Sequence, residues 1–570
     1  MRTRSRHAAR HLAIVLALTA SGLAPAAAEC GADGRADGAR HLASARIAAA
    51  DGDQAAAAGA FLAAAELGFR AFAACSANGA TASEAALEES RRLHAQATAG
   101  YVTSHIAAGG RLRNHYRRTP VGGLVVEVAD SDFPGDRVVE IVAATDAGGP
   151  RLSRRYGRAG VGAPLVVATH SLPGRRSLAE FSVGERDVAP ATAVLTFDKP
   201  GSNRAVLRLL DSRAREEIKL HGRRHPLAAD FTAVVAHLAD ALGHDPGMLR
   251  PGKAMRESGI SILEPYDPER TPVLLIHGLR SNPRTWIEMA NDLYGSPALR
   301  RRYQVWFYSY PSALPYLYAA SLLREELESL DQAVRRSARV ELRTNPAVVV
   351  AHSMGGLIAK ALATDSGDRL WSATFTRAAD ELEGAPVDIE RVRSMLIFEP
   401  SPLISRIVYV STPHHGSTMA DSFVGRLGAG LTGRLHYLAG SLRRLAEANP
   451  DAIRPEMRHR LERGGAKSIG TLSPRHPLLQ AFAQLETQVP YHSIIGDRGR
   501  RDVRAPERSD GVVSYRSAHL ERAASEILVP TGHDAHKQEV TRTEIKVILH
   551  QHAWAARRAG TRNGSLPGGD

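Results

Sequence analysis

A serine between small residues is the first feature of this sequence that could do chemistry. Ser353 lies in AHSMGG at 351–356, directly after the apolar run AVVV and before the helix-forming run LIAKALA. This order is typical of a nucleophile elbow, here with alanine in the first small position of G-x-S-x-G. Such a turn is sharp and exposes the hydroxyl at a helix N-terminus, where the dipole favours negative charge. The sequence therefore predicts that Ser353 is a catalytic nucleophile.

Two backbone N–H groups are predicted to bind the oxyanion that forms when a serine attacks a carbonyl. One belongs to Met354, which follows the nucleophile. The other belongs to Leu279, in the loop after the apolar run PVLLIHG at 272–278. His277 in this loop is predicted to form a structural hydrogen bond rather than to act as an acid or base.

Candidates for the acid and the base follow Ser353 in the order Ser–Asp–His. A buried carboxylate must orient the histidine and stabilise its imidazolium. Asp510, in SDGVV at 509–513, is the predicted acid, and Asp497, at the end of YHSIIGD, is the alternative. His533, in TGHDAH at 531–536, is the predicted base, and His536 is the alternative.

No metal site or cofactor is predicted. The adjacent His414 and His415 point apart in an extended chain, and neither H-E-x-x-H nor H-x-x-E-H occurs. The two cysteines, Cys30 and Cys75, are too few for a cysteine-rich metal site, although they could form one disulfide.

Short apolar runs alternate with helical segments between residues 258 and 556 and predict a mostly parallel α/β sheet. The strand candidates are PVLLIHG, YQVWFYSY, AVVVAHS, RIVYVST, YHSIIGD and SEILVP. In such sheets the site lies beyond the carboxyl ends of the strands, and the motifs above lie there. Three tyrosines near the end of one strand are candidates for lining an acyl pocket: Tyr308, Tyr310 and Tyr316.

Residues 271–550 resemble the α/β-hydrolase superfamily, in particular its lipases and esterases. The A-H-S-M-G form is similar to that of some small secreted bacterial lipases, and the wider set resembles hydrolases related to glycosylphosphatidylinositol inositol-deacylases. The motifs that carry the resemblance are IHGL at 276–279, AHSMGG at 351–356, STPHHGS at 411–417, SDGVV at 509–513 and TGHDAH at 531–536. The resemblance implies a Ser–His–Asp hydrolase that cleaves carboxylic esters through an acyl-enzyme.

Two alternatives to this function stay open. An acyltransferase would use the same triad with an alcohol or amine in place of water. A non-catalytic binding protein on a hydrolase fold belongs to a different class. An insertion at about 418–488 is either a lid over the serine or an ordinary helical excursion.

The chain preceding this domain is predicted to have three parts. Residues 1–28 have the basic, apolar and small-residue regions of a signal peptide, so the protein is expected to be periplasmic or secreted. Glu29 disfavours a lipid anchor on Cys30. An α-helical region at 29–115, with helices around a turn at Asp51–Asp53, and a small antiparallel β-rich domain at 116–257 follow. A disordered tail is predicted at 557–570.

The net charge is +13, carried almost entirely by arginine. The sequence contains no recognisable nucleic-acid module, so no nucleic-acid partner is predicted, whereas peripheral contact with an anionic membrane is possible. The expected partner is a small-molecule or lipid ester, and the sequence does not indicate an oligomeric state.

Overall fold

The computed structural model describes residues 30–77, 83–170, 178, 180–183, 186–199, 201–243, 258–417, 436–462, 470–499 and 508–563. The predicted signal peptide at 1–28 lies outside these residues. The same holds for 418–435 and 463–469 of the predicted insertion and for 564–570 of the predicted tail.

Three antiparallel helices open the described chain: α1 (Ala32–Ala50), α2 (Gln54–Ala77) and α3 (Glu84–Ala107). The turn between α1 and α2 falls at Asp51–Asp53, as the sequence predicts. A disulfide joins Cys30, before α1, to Cys75 near the end of α2. It ties the two ends of this helix pair together.

The next ten strands form one main sheet and two small pairs. They are β1 (His115–Thr119), β2 (Gly122–Val128), β3 (Val138–Ala143), β4 (Gly157–Arg158), β5 (Ala163–Thr169), β6 (Asp187–Phe197), β7 (Arg204–Asp211), β8 (Glu217–Leu220), β9 (Arg223–Pro226) and β10 (Ala229–Asp230). The main sheet has the order β1-β2-β7-β6-β5-β3. Its pairs are antiparallel except β2 with β7, which is parallel. Parallel pairing is possible there because a long stretch of chain separates these two strands.

The two regions predicted before residue 257 form one unit around one core. Apolar side chains of the helices, such as Leu62 and Tyr101, are buried with side chains of the sheet, such as Val167 and Leu195. By length and hydropathy, α2 could span a membrane, but 72% of its most apolar stretch is buried in this fold.

Seven strands form the second large sheet, in the order β11-β13-β12-β14-β15-β16-β17. They are β11 (Gly259–Ile262), β12 (Thr271–Ile276), β13 (Tyr303–Ser309), β14 (Ala347–His352), β15 (Ile404–Val410), β16 (Tyr491–Gly496) and β17 (Ser525–Val529). All six predicted strands are present, and they pair in parallel. The edge strand β11 is antiparallel and was not predicted, because four residues carry little periodic signal.

Twelve further helices are described. They are α4 (Thr232–Ala239), α5 (Ile287–Gly295), α6 (Pro297–Arg300), α7 (Tyr316–Ala338), α8 (Met354–Ala361), α9 (Arg369–Ser372), α10 (Pro386–Leu396), α11 (His436–Ala448), α12 (Pro455–Glu462), α13 (Pro477–Ala483), α14 (Tyr515–Ala518) and α15 (Glu539–Asn563). Because α15 reaches Asn563, the prediction that disorder begins at 557 is wrong. Three of the residues 557–563 are arginine, which favours helix.

The described helices of the insertion, α11 to α13, belong to the main core. Leu445, Ile453 and Phe482 are buried in the same cluster as Leu274 of β12. This part of the insertion therefore packs as an ordinary helical cover. The lid predicted for 418–488 remains a prediction, since residues 418–435 are not described.

Candidate active site

Ser353 lies in the turn between β14 and α8 with a positive φ of 55°. Non-glycine residues adopt this backbone rarely, and such strain is typical of functional sites. The turn is tight: a Cβ added to Gly355 would lie 2.4 Å from the carbonyl oxygen of His277. The small residues around Ser353 therefore let the helix approach the end of β12.

Ser353 is linked to His533 and Asp510 by two short hydrogen bonds. His533 Nε2 lies 2.8 Å from Ser353 Oγ, and His533 Nδ1 lies 2.7 Å from Asp510 Oδ2. Asp510 follows β16 and His533 follows β17, and parallel strands bring both loops to the edge that carries Ser353. The arrangement has the connectivity of a serine–histidine–aspartate triad.

The carboxylate of Asp510 is held in its ionised form. Burial by itself raises the pKa of this carboxyl group, whose side chain is 1% exposed. The hydrogen bond to His533 and the backbone N–H groups of Val512 and Val513, which donate to Oδ1 at 2.8 and 2.7 Å, more than offset burial. The net result is a pKa below its usual value, so Asp510 carries a negative charge at neutral pH.

The two alternative residues are not part of this connection. Asp497 accepts the N–H of Gly499 and lies 3.7 Å from Arg508, with no contact to His533. His536 lies beneath the site, where its Nε2 is 2.5 Å from Thr285 Oγ1. The geometry favours Asp510 and His533 as the acid and the base.

A buried histidine that the sequence did not single out supports the base. His352 Nε2 lies 2.8 Å from the carbonyl oxygen of His533 and must donate to it. Its ring packs 3.8 Å from that of His536. Burial holds the pKa of His352 well below its usual value and lowers that of His536 to about 3, so both rings are neutral supports. Proximity to Ser353 was the only sequence signal for His352.

The loop after β12 passes directly beside Ser353. A Cβ added to Gly278 would lie 2.9 Å from Ser353 Cβ. Leu279 follows Gly278, and Met354 begins α8, so both predicted oxyanion donors border the nucleophile. His277 Nδ1 bonds to the carbonyl oxygen of Gly278 at 3.0 Å, and burial lowers the pKa of His277 to about 4. His277 therefore has the structural role that the sequence predicts.

The three tyrosines predicted to line an acyl pocket lie in the core instead. Each is at most 3% exposed. Tyr308 donates to the carbonyl oxygen of Ala319, and Tyr310 donates to that of His277 while its ring stacks on the His277 ring at 4.3 Å. Tyr316 packs against Phe482. A tyrosine near a strand end has the same sequence signal in a core as in a pocket.

His414 and His415 point apart, as the sequence predicts. His414 is 1% exposed and packs against Tyr409, whereas His415 is exposed. Within the described ranges, no group of three or more His, Cys, Asp or Glu side chains could hold a metal ion.

Comparisons with known proteins gave similar solved structures and one matching family model. Similar solved structures include a Bacillus licheniformis lipase, BlEst2, in mature form (16% identity, 50% of this chain, 93% of that chain, TM-score 0.25), EstA from Clostridium botulinum (15%, 46%, 82%, 0.28) and lipase 1 from Pelosinus fermentans (14%, 48%, 95%, 0.28). A search of curated proteins gave no match. The model of the alpha/beta hydrolase family matches residues 273–560, half of the chain. The chain belongs to the α/β-hydrolase family.

Proposed function

We propose that this hydrolase is an exported lipase or esterase that cleaves carboxylic esters through an acyl-enzyme on Ser353. The observation that carries the proposal is the continuous hydrogen-bonded path from Ser353 Oγ through His533 to Asp510. A serine hydroxyl is a weak nucleophile at neutral pH, and a histidine that accepts its proton activates it.

In the first step Ser353 Oγ attacks the ester carbonyl carbon while His533 Nε2 takes the hydroxyl proton. The carbonyl oxygen becomes an oxyanion and accepts hydrogen bonds from the N–H groups of Met354 and Leu279. Asp510 stays ionised and stabilises the imidazolium through Nδ1. The tetrahedral intermediate then expels the alcohol, which leaves with the proton from His533.

In the second step water takes the place of the alcohol. His533 removes a proton from the water, whose oxygen attacks the acyl-enzyme carbonyl, and the second tetrahedral intermediate releases the carboxylic acid. Ser353 recovers its proton from His533. The reaction is balanced as ester plus water giving acid plus alcohol.

Export is supported by the disulfide between Cys30 and Cys75. Disulfides persist in oxidising compartments and are rare in the cytosol. The predicted signal peptide at 1–28 would place the protein in the periplasm or outside the cell.

The proposal is tested with p-nitrophenyl esters of increasing acyl chain length, using the mature protein and Ser353→Ala. We expect turnover that disappears in Ser353→Ala, and the preferred chain length separates an esterase from a lipase. An added alcohol that is acylated in preference to water would instead identify an acyltransferase. If the protein shows no turnover and Ser353 is not labelled by a fluorophosphonate, the proposal is contradicted and a binding protein is favoured.

A further inference from the structure

A basic segment without acidic residues leads into the first strand of the N-terminal sheet. Residues 90–126 contain no Asp or Glu, and RLRNHYRR at 111–118 contains four arginines. This segment becomes the hairpin of β1 and β2, with β1 at the edge of the sheet. The sequence thus concentrates positive charge on one hairpin.

The hairpin turns apolar side chains outward. In β1 and β2, Leu124 and Val126 face the helices, whereas Tyr116 and Val125 face away and lie opposite each other across the two strands. Tyr116 is 63% exposed and Val125 is 41% exposed. Val121, in the turn, is 62% exposed. The outer face and the tip of the hairpin therefore expose apolar side chains, with Arg118 between the Tyr116–Val125 pair and the turn.

The arginines around this surface lack carboxylate partners. Arg111, Arg113 and Arg118 are exposed, and none forms an ion pair within the described residues. Arg117 differs, because it lies 2.7 Å from the ring of His105. Three exposed positive charges, on β1 and on the residues that lead into it, are therefore uncompensated among the described residues.

Two arginines near the hairpin pair with carboxylates. Arg204, the first residue of β7, pairs with Glu127, and Arg215 lies 2.8 Å from Asp132. Arg92 and Arg151 of the same unit are also exposed without an ion pair among the described residues, so the hairpin is distinguished by arginines that lie beside the exposed Tyr116, Val121 and Val125.

We propose that the β1–β2 hairpin docks the protein on an anionic phospholipid bilayer. Arginines beside an anionic bilayer surface each contribute roughly fivefold to binding. Tyrosine is enriched at the interface between lipid headgroups and acyl chains, and the valines add apolar area that enters it. A single aromatic ring offers no stacking series for nucleic-acid bases.

Binding to vesicles tests this proposal independently of catalysis. The full mature chain carrying Ser353→Ala, which leaves the lipid intact, is floated with vesicles of phosphatidylcholine alone or with added phosphatidylglycerol. We expect binding only to the anionic vesicles and a loss of binding at high salt. The double change Arg113→Gln and Arg118→Gln is expected to weaken binding about 25-fold, and Val121→Ser about threefold.

Matched controls separate the hairpin from general charge and apolarity. Arg522→Gln removes an exposed arginine that pairs with Glu486 outside the N-terminal unit, and Val540→Ser changes a valine that is 57% exposed on α15. Both are expected to bind as the parent does, and melting temperatures show whether every variant is folded. No binding to anionic vesicles would overturn the proposal. Equal losses of vesicle binding in the controls, or full binding by the double arginine variant, would also overturn it. An extended peptide that pairs with the edge strand β1 would then be the favoured partner of the hairpin.

Discussion

At the residue scale, the site depends on a few buried polar contacts around one histidine. Asp510 fixes Nδ1 of His533, and His352 fixes the backbone carbonyl of the same residue. Nε2 is then left to face Ser353. The imidazole has one orientation and one tautomer, which is the preorganisation that general-base catalysis needs.

Replacing each carboxylate by an amide distinguishes Asp510 from Asp497, the two candidates for the acid that the sequence left open. Asp510→Asn should lower kcat about 10⁴-fold, because an amide donor at Nδ1 favours the wrong tautomer of His533. Asp497→Asn should change kcat less than about twofold, because Asp497 bonds to Gly499 and not to His533. Ester hydrolysis at saturating substrate measures both variants. Comparable losses in the two variants would contradict the assignment of the acid.

Much of the candidate site could be predicted from the sequence, because Ser353, Asp510 and His533 each follow a recognisable strand. The support from His352 could not, since no sequence motif marks a histidine whose ring bonds to a backbone carbonyl. The prediction that the three tyrosines line an acyl pocket was wrong for a related reason. Tyr308 and Tyr310 bond to backbone carbonyls and Tyr316 packs on Phe482, and such contacts leave no trace in the sequence.

At the element scale, the close approach of β14, α8 and the loop after β12 builds the site. The carbonyl oxygens of Ile276 and His277 lie where a side chain at position 355 would project. Continuous apolar runs made the central strands predictable, since strands buried on both faces have that pattern. The parallel pairing of β2 with β7 was not predictable, because it depends on contacts between distant parts of the chain.

Gly355→Ala tests this packing. The new Cβ would lie 2.4 Å from the His277 carbonyl oxygen and 2.8 Å from that of Ile276, and backbone atoms cannot move aside easily. The free energy of unfolding of the unit built on the seven-stranded sheet should fall by about 2–3 kcal/mol, as measured by urea titration. Gly148→Ala is the matched control, since nothing lies within 4 Å of its added Cβ. Equal stability of the two variants would contradict the packing described.

At the scale of the whole molecule, the N-terminal unit contacts the helix that follows the base. Tyr156 donates to Asp292 Oδ1 at 2.7 Å, and Arg542 of α15 donates to Oδ2 at 3.0 Å. Arg542 also donates to the carbonyl oxygen of Lys537, at the end of the loop that carries His533. Asp292 is 2% exposed, so this connection is buried. This buried carboxylate therefore joins the two units behind the site.

Buried histidines make the stability of the N-terminal unit depend on pH. Burial lowers the pKa of His94 to about 4, with the hydrogen bond to Ala65 opposing this effect. Above about pH 6.5 the ring is neutral in both the folded and the unfolded protein, and its contribution to the free energy of unfolding is complete. As the pH falls from about 6.5 to 4, only the unfolded chain binds the proton, so the free energy of unfolding decreases.

His94→Gln should remove about 2 kcal/mol of the stability change between about pH 7.5 and 5. Urea unfolding of the N-terminal unit at the two pH values measures it. His550→Gln, on the exposed side of α15, is the control and should keep the pH dependence of the parent protein. If the pH dependence is unchanged in His94→Gln, His94 binds its proton as readily in the folded protein as in the unfolded chain, and this account of His94 is contradicted.

The central claim, that Ser353 is activated by His533, is tested most directly by covalent labelling with a fluorophosphonate followed by peptide mass mapping. We expect one adduct, on Ser353, whose rate of formation falls about 10³-fold or more in His533→Ala. Its rate should fall far less in His536→Ala, because His536 contacts Thr285 and not the serine. An adduct on another residue, or labelling of Ser353 at the same rate in His533→Ala, would contradict the account.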